Sequence, residues 1–223
     1  MALINMRSEG LVNNLHEYTF HILGCGAIGS SAANQLVRAG ATNFLLYDMD
    51  IVNTENLGVS QYLDEHIGKP KVEALNNYLQ SINDEVDIIC FHEKYDMFRY
   101  QHNQDIVILG FDSMESRKEA VLDICRDKMQ KPFMLIDGRM GGEHYQQYVF
   151  TDVTLPKYMK TWYSDEDGDP EPCNIKATTY CSNMAGAFIV NAIRKVLTQS
   201  PYERELSFNF PHMTLQKKTC FQA

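Results

Sequence analysis

An α/β fold built on a mostly parallel sheet flanked by helices is predicted by three features of this 223-residue chain. Tyr18 to Leu23 read as a short buried strand that runs into Gly24-Cys25-Gly26-Ala27-Ile28-Gly29, and Ser30 to Arg38 then carry small and apolar residues at helical spacing. A second strand, Phe44 to Tyr47, follows the turn Ala39-Gly40-Ala41-Thr42-Asn43 and completes a strand–helix–strand unit. Asp105 to Phe111 enclose the run Ile106-Val107-Ile108-Leu109, the pattern of a parallel strand covered on both faces.

Residues 1–17 are a mixed N-terminal arm, and Gly40 sits at the C-cap position of the first helix. Asp48-Met49-Asp50 close the second strand. Ile51 to Tyr62 are a polar loop at the carboxyl edge of the sheet, where open α/β sheets bind ligands. Gly68-Lys69-Pro70-Lys71 open a helix whose apolar positions Val72, Leu75, Tyr78, Leu79 and Ile82 recur at three and four residues, and Pro70 suits its first turn. Val86 to Phe91 form a third strand. The fourth strand ends at Asp112, and a helix from Glu115 to about Lys128 follows. Pro132 to Ile136 are a fifth strand closed by Asp137-Gly138-Arg139, and Tyr145 to Phe150 return antiparallel after Gly141-Gly142. Residues 152–179 are a long acidic segment expected to be a flexible crossover loop. A helix from about Cys181 to Leu197, a terminal strand over 205–211 and an exposed tail over 211–223 complete the chain. The whole reads as one Rossmann-like domain with antiparallel strands at its C-terminal end.

Composition narrows the function classes. With 44% hydrophobic and 22% charged residues, and no apolar run near the roughly 18 residues a bilayer span needs, no membrane helix is expected. The start Met-Ala-Leu-Ile-Asn-Met-Arg lacks the pattern of a secretory signal, so a cytoplasmic location is expected. Six cysteines (Cys25, Cys90, Cys125, Cys173, Cys181 and Cys220) form no C-x-x-C pair, which argues against a zinc ribbon or a disulfide framework. A net charge of −9 disfavours nonspecific attraction to nucleic acid.

The glycine loop carries the first chemical signal. Gly24, Gly26 and Gly29 satisfy G-x-G-x-x-G. Residues without side chains let a backbone approach phosphate oxygens closely, and the N–H groups of a helix start attract negative charge. Asp48 ends the next strand about 20 residues beyond the loop, where a ribose-binding carboxylate is expected. The same turn also occurs as simple strand-to-helix architecture, and that reading stays open at this point.

Asp48-x-Asp50, Asn56, Gly68-x-Pro70-Lys71 and Asp112, in that order behind the glycine loop, make residues 5–198 resemble the ThiF/MoeB superfamily, the adenylating domain shared with ubiquitin-activating enzymes. The resemblance implies a homodimeric enzyme that binds ATP and Mg²⁺ and activates a carboxylate at the α-phosphate, releasing pyrophosphate. The implied partner is a small ubiquitin-like or sulfur-carrier protein, or a peptide, whose C-terminal carboxylate becomes an acyl-adenylate. Gly24, Gly26, Gly29, Asp50 and Lys71 would then lie at the nucleotide, with Lys71 at its phosphates. Asp48 would take the ribose hydroxyls, Asn56 would bond near the ribose or phosphates, and Asp112 would hold Mg²⁺. Arg7 matches by position the arginine that reaches the other subunit's nucleotide. Cys173, ahead of the final helix, matches the thiol that takes the acyl group in many relatives. Arg117 is assigned a structural place or one beside the magnesium, and Arg139 a place along the acyl-substrate channel.

Each residue also has a plainer reading: Lys71 as a solvated first-turn lysine, Asp112 as a helix cap, Asn56 as a turn former, Arg7 as an exposed arm residue and Cys173 as an unreactive loop thiol. Two departures from the family pattern stand out. Asn56 is followed by Leu57-Gly58-Val59-Ser60-Gln61 with no arginine, and the zinc-binding C-x-x-C pairs of many relatives are absent, so no structural zinc is expected. Three other classes remain open on sequence: an ATP-dependent tRNA-modifying relative, a nicotinamide-dependent oxidoreductase and a catalytically weak nucleotide-binding module.

Overall fold

A computed structural model describes residues 7, 11, 14–166 and 177–220. Its elements are β1 (Thr19–Leu23), α1 (Ala27–Arg38), β2 (Asn43–Tyr47), α2 (Lys71–Ile82), β3 (Asp87–Phe91), β4 (Asp105–Leu109), α3 (Met114–Ile124), β5 (Met134–Gly141), β6 (His144–Phe150), α4 (Leu155–Met159), α5 (Thr179–Leu197), β7 (Tyr202–Asn209) and β8 (Thr214–Cys220). They build one sheet in the order β3-β2-β1-β4-β5-β6-β7-β8. β1 to β5 pair in parallel, and β6, β7 and β8 add antiparallel strands. The predicted fold class is the observed one.

Alternation along the central strands feeds two cores. Phe20 and Ile22 of β1, with Ile106 and Ile108 of β4, pack into the layer that contains α1, α2 and α5. Leu23, Val107 and Leu109 face the opposite layer, with α3 and α4. Burying one such side chain contributes about 1.5–3 kcal/mol, so these strands are fixed from both sides. Their carboxyl ends then form a rigid platform for the loops that follow.

The differences from the sequence reading have local causes. α1 starts at Ala27, three residues before Ser30, because the Ser30 N–H already donates to the Gly26 carbonyl at 2.9 Å. α3 stops at Ile124 rather than near Lys128. Beyond it Asp127 turns its carboxylate onto the Met129 N–H at 2.7 Å, the competition with helix bonding expected of a short acidic side chain. β5 does not end at Ile136. Its partner β4 leaves it at the Leu109–Asp137 pair, but β6 continues to pair with it as far as Gly141, which places Asp137 and Arg139 inside a strand.

The long crossover segment contains α4, capped by Thr154. The predicted tail is in part a strand: β8 pairs with β7 from Tyr202–Cys220 to Asn209–Thr214. Its residues are mostly exposed, and Lys217 and Lys218 pair with Glu203 and Glu205 of β7. Backbone ladder bonds and cross-strand charges hold it rather than an apolar face, so no hydrophobic alternation marked it. Among the described residues, no helix is long and apolar enough to cross a membrane.

Candidate active site

β1 and β4 lie side by side, and the loops leaving them pack backbone against backbone. Gly24 takes φ +95°, and a Cβ there would lie 2.7 Å from the Gly110 carbonyl. A Cβ on Gly29 would lie 1.9 Å from the Gly24 carbonyl oxygen. These two glycines are required by space. Gly26 has nothing within 4 Å of the corresponding position and forms the N-cap of α1 with no side chain capping it. The first turn of α1 therefore offers its N–H groups to the opening, a natural seat for an anion.

The opening is a cleft at the carboxyl edge of β1, β2 and β4, with about 750 Å³ of space including its open mouth. Gly24, Gly26, Asp48, Asp50, Lys71 and Asp112 all line it, so six of the sequence-derived residues converge. Gly29 acts from behind, inside α1. Asn56 does not line the cleft; its side-chain oxygen accepts the Asn53 N–H at 2.9 Å and holds the local turn. Arg7 is exposed and also outside the lining, and Cys173 lies outside the described residues.

Asp48 is held by two backbone donors, Cys25 N–H on one oxygen at 2.7 Å and Asp50 N–H on the other at 2.9 Å. Burial pushes its carboxyl above the ordinary aspartate range, against the pull of Lys71. Lys71 reaches the Asp50 carboxylate at 2.7 Å. Burial alone would lower the ammonium, but Asp48 and Asp50 outweigh it and raise its pKa. Ser113 caps α3 by accepting the Ser116 N–H. Asp112, the residue before it, is exposed and free of capping duty.

The far wall was not visible in the sequence. Glu93, Lys94 and Tyr95 come from the connection between β3 and β4, and Phe111 and Glu119 from the β4–α3 region. That connection lacks periodicity, and its fixing contacts are long-range: Asp123 of α3 accepts from the Tyr95 hydroxyl at 3.2 Å and from the Phe98 N–H. Tyr95 and Phe111 meet edge to face with ring centres 6.1 Å apart, giving the cleft an apolar side suited to a flat ring. Lys94 approaches Glu119 at 3.9 Å over the mouth. Five carboxylates (Asp48, Asp50, Glu93, Asp112 and Glu119) face two lysines here, so an anionic ligand requires additional positive charge.

Arg117 and Arg139 lie beneath this surface. Arg117 is buried and donates to Asp137, to the Leu109 carbonyl at 3.3 Å and to the Phe111 carbonyl. Arg139 donates to the other Asp137 oxygen at 2.6 and 2.9 Å and to the Thr161 carbonyl at 2.6 Å, with its guanidinium over the Tyr148 and Tyr163 rings. Arg117 is thus tied to the carbonyls that end β4 and precede Asp112, and neither arginine lines the cleft.

The chain is 28% identical, over 99% of its length, to ubiquitin-like modifier-activating enzyme 5 of Bombyx mori, of which it spans 64%. It is 33% identical over 48% of its length to the tRNA threonylcarbamoyladenosine dehydratase of Bacillus subtilis, covering 43% of that protein. Among solved structures, E. coli MccB with ATP superposes with a TM-score of 0.68 at 16% identity, over 94% of this chain and 65% of that one, a likeness of fold. The chain spans less than two thirds of the length of these relatives. The family model described as the ThiF family matches residues 1–222, and the chain belongs to that family.

Proposed function

We propose that this protein is an ATP-dependent adenylyltransferase that activates the C-terminal carboxylate of a small ubiquitin-like or sulfur-carrier protein, or of a peptide. The observation that carries the reading is the convergence of the glycine loop, Asp48, Lys71 and Asp112, which caps no helix, on one cleft edge. In the reaction a carboxylate oxygen of the acceptor bonds to the α-phosphorus of ATP while the bridging α–β P–O bond breaks. Pyrophosphate leaves and the acyl-adenylate remains. Both reactants are anions, so charge and placement matter more than a proton-transfer base.

The chain's own groups divide this work. Gly26 leaves room for the phosphates, Gly24 lets the loop pack against Gly110, and the first turn of α1 donates to the phosphates. Asp48, fixed by two backbone N–H groups, keeps lone pairs free for the ribose hydroxyls. Lys71 supplies positive charge at the phosphates. Magnesium fits the remaining donor: it is commonly held by one or two carboxylates plus substrate phosphates, and Asp112 offers one free carboxylate at the cleft. When bound, the ion would neutralise and orient phosphate oxygens. Among the described residues no group of three or more His, Cys, Asp or Glu side chains stands ready to hold a metal without such a substrate.

The test is calorimetric titration of the purified protein with Mg-ATP and, separately, with NAD. Binding of Mg-ATP and its weakening in Asp112→Ala support the proposal; binding of NAD alone overturns it in favour of an oxidoreductase. A tRNA-modifying role is the second reading, favoured by the similarity to the Bacillus subtilis dehydratase. The net charge of −9 opposes it, and a steep salt-dependent affinity for bulk tRNA would reinstate it.

Adenosine gives a cleaner reading of Asp48, because it carries no titrating phosphate. Its affinity is expected to fall as the pH drops through the Asp48 carboxyl's pKa, since the protonated acid accepts fewer hydroxyl donors. Burial holds that midpoint above the ordinary aspartate value, and the step at that higher pH is expected to be lost in Asp48→Asn.

Dimerisation would bring Arg7 to the neighbouring nucleotide, and Cys173 would take the acyl group by thiolate attack on the adenylate carbonyl with AMP leaving. Cys173→Ala is then expected to preserve carrier-dependent pyrophosphate release while removing the hydroxylamine-sensitive protein–acyl bond. An intact bond in that variant points to another thiol.

A further inference from the structure

The floor of the cleft rests on buried charges that the proposed reaction does not use directly. Arg117 and Asp137 are 4% and 0% exposed, and neither contacts the cleft space. Arg117 spreads its planar fork over three acceptors: the Asp137 carboxylate, the Leu109 carbonyl at the end of β4 and the Phe111 carbonyl. The last of these belongs to the peptide unit that joins Phe111 to Asp112. That bond orients the peptide plane from which Asp112 begins.

Arg139 grips the same carboxylate from the other side and ties it to the Thr161 carbonyl and hydroxyl, at 2.6 and 3.3 Å. From Thr161 the chain returns to α3. Trp162 donates its indole N–H to the Met114 carbonyl at 2.9 Å, and the Asp165 carboxylate accepts the Met114 N–H at 3.0 Å. The residues on both sides of Asp112–Ser113 are therefore held, Phe111 through Arg117 and Met114 through Trp162 and Asp165.

We propose that Arg117, Asp137 and Arg139 form a buried positioning triad that sets the placement of Asp112, and thereby the contribution of magnesium to nucleotide binding. The inference rests on the metal role given to Asp112 above. A fork–carboxylate–fork arrangement suits this task, because paired guanidinium hydrogen bonds fix angles that a flexible ammonium leaves free. Groups behind a metal-binding carboxylate typically alter metal affinity or activity by about 10- to 100-fold. Arg117 and Arg139 are positioning residues here, and neither is asked to touch the nucleotide.

The experiment is calorimetric measurement of ATP affinity in Mg²⁺ and in EDTA, with AMP in EDTA as reference, for the wild type, Arg117→Lys, Asp112→Asn and the double variant. Arg117→Lys is expected to keep AMP affinity within about threefold while losing about 10-fold or more of the Mg²⁺-dependent gain in ATP affinity. The double variant is expected to be no worse than Asp112→Asn alone, because both changes remove one effect. Arg139→Lys, read in the same way, should shift in the same direction by less, and it replaces Arg117→Lys if that variant does not fold. An unchanged Mg²⁺-dependent gain overturns the proposal, as does a parallel loss of AMP affinity and thermal stability, the mark of a purely structural role. A wild type that binds ATP equally well with and without Mg²⁺ removes the metal role of Asp112 and the triad proposal with it. A wild type that binds no ATP removes the adenylation reading itself.

Discussion

Gly29→Ala is expected to abolish measurable ATP binding and to destabilise the fold by about 3 kcal/mol, near the upper end for forcing extra volume into a packed site. The new Cβ would lie 1.9 Å from the Gly24 carbonyl oxygen, which is backbone and has no rotamer to escape into. Gly24 cannot retreat either, because its own Cβ direction is closed by Gly110 at 2.7 Å. Relief must come from moving α1 away from the sheet, which opens the packing of Ile28 and Ala32 in the main core. The better helix propensity of alanine, worth about 1 kcal/mol over glycine, offsets only part of this. Gly26→Ala separates the two roles of the loop. Nothing lies within 4 Å of its Cβ position, so thermal unfolding by circular dichroism should be nearly unchanged. A methyl group there nonetheless stands where phosphate oxygens are proposed to approach, and ATP affinity should fall by at least 10-fold. If Gly26→Ala binds Mg-ATP as the wild type does, the loop is architecture and not a phosphate cradle.

That contrast illustrates what a sequence can carry. The glycine pattern, the strand ending in Asp48 and the Lys71 helix start are local signals, and each names a residue that lines the cleft or supports it. Asp112 was legible in the chain pattern as the end of an apolar strand, and its metal role only as what the family resemblance implies. The structure adds that Ser113 takes the capping duty and leaves Asp112 free. The residues that eluded pattern reading depend on distant partners. Tyr95 becomes a cleft wall because Asp123, 28 residues away, accepts its hydroxyl. Asp137 reads as a strand end until β6 extends its pairing and Arg117 arrives from α3. Asn56 holds a motif position, and its side-chain oxygen accepts the Asn53 N–H within the local turn.

Lys71→Met is expected to lower carrier-dependent adenylation by about 10²- to 10³-fold, the range for removing one preorganised electrostatic donor, and to weaken Mg-ATP binding by about 10-fold. Lys71 is one of two lysines facing five carboxylates, and Lys94 already sits near Glu119. Without Lys71, Asp48 and Asp50 would face the triphosphate with no cation between them. Methionine keeps most of the apolar stem, and the Lys71–Asp50 pair is partly exposed, so the stability change should stay within about 1 kcal/mol. The loss of activity could still arise in two ways: a missing contact to phosphate, or an unneutralised Asp50. Lys71→Met combined with Asp50→Asn distinguishes them in pyrophosphate-release assays. If Lys71 contacts the nucleotide, the double variant stays as slow as the single one, because removing the carboxylate returns no donor to the phosphates. If the double variant recovers to near wild-type rates, Lys71 serves only to quiet Asp50, and the positive charge at the phosphates must come from elsewhere. Arg7 of a second copy would then be the first side chain to test, by mixing Arg7→Ala and Lys71→Met proteins and looking for restored activity in the mixed dimer.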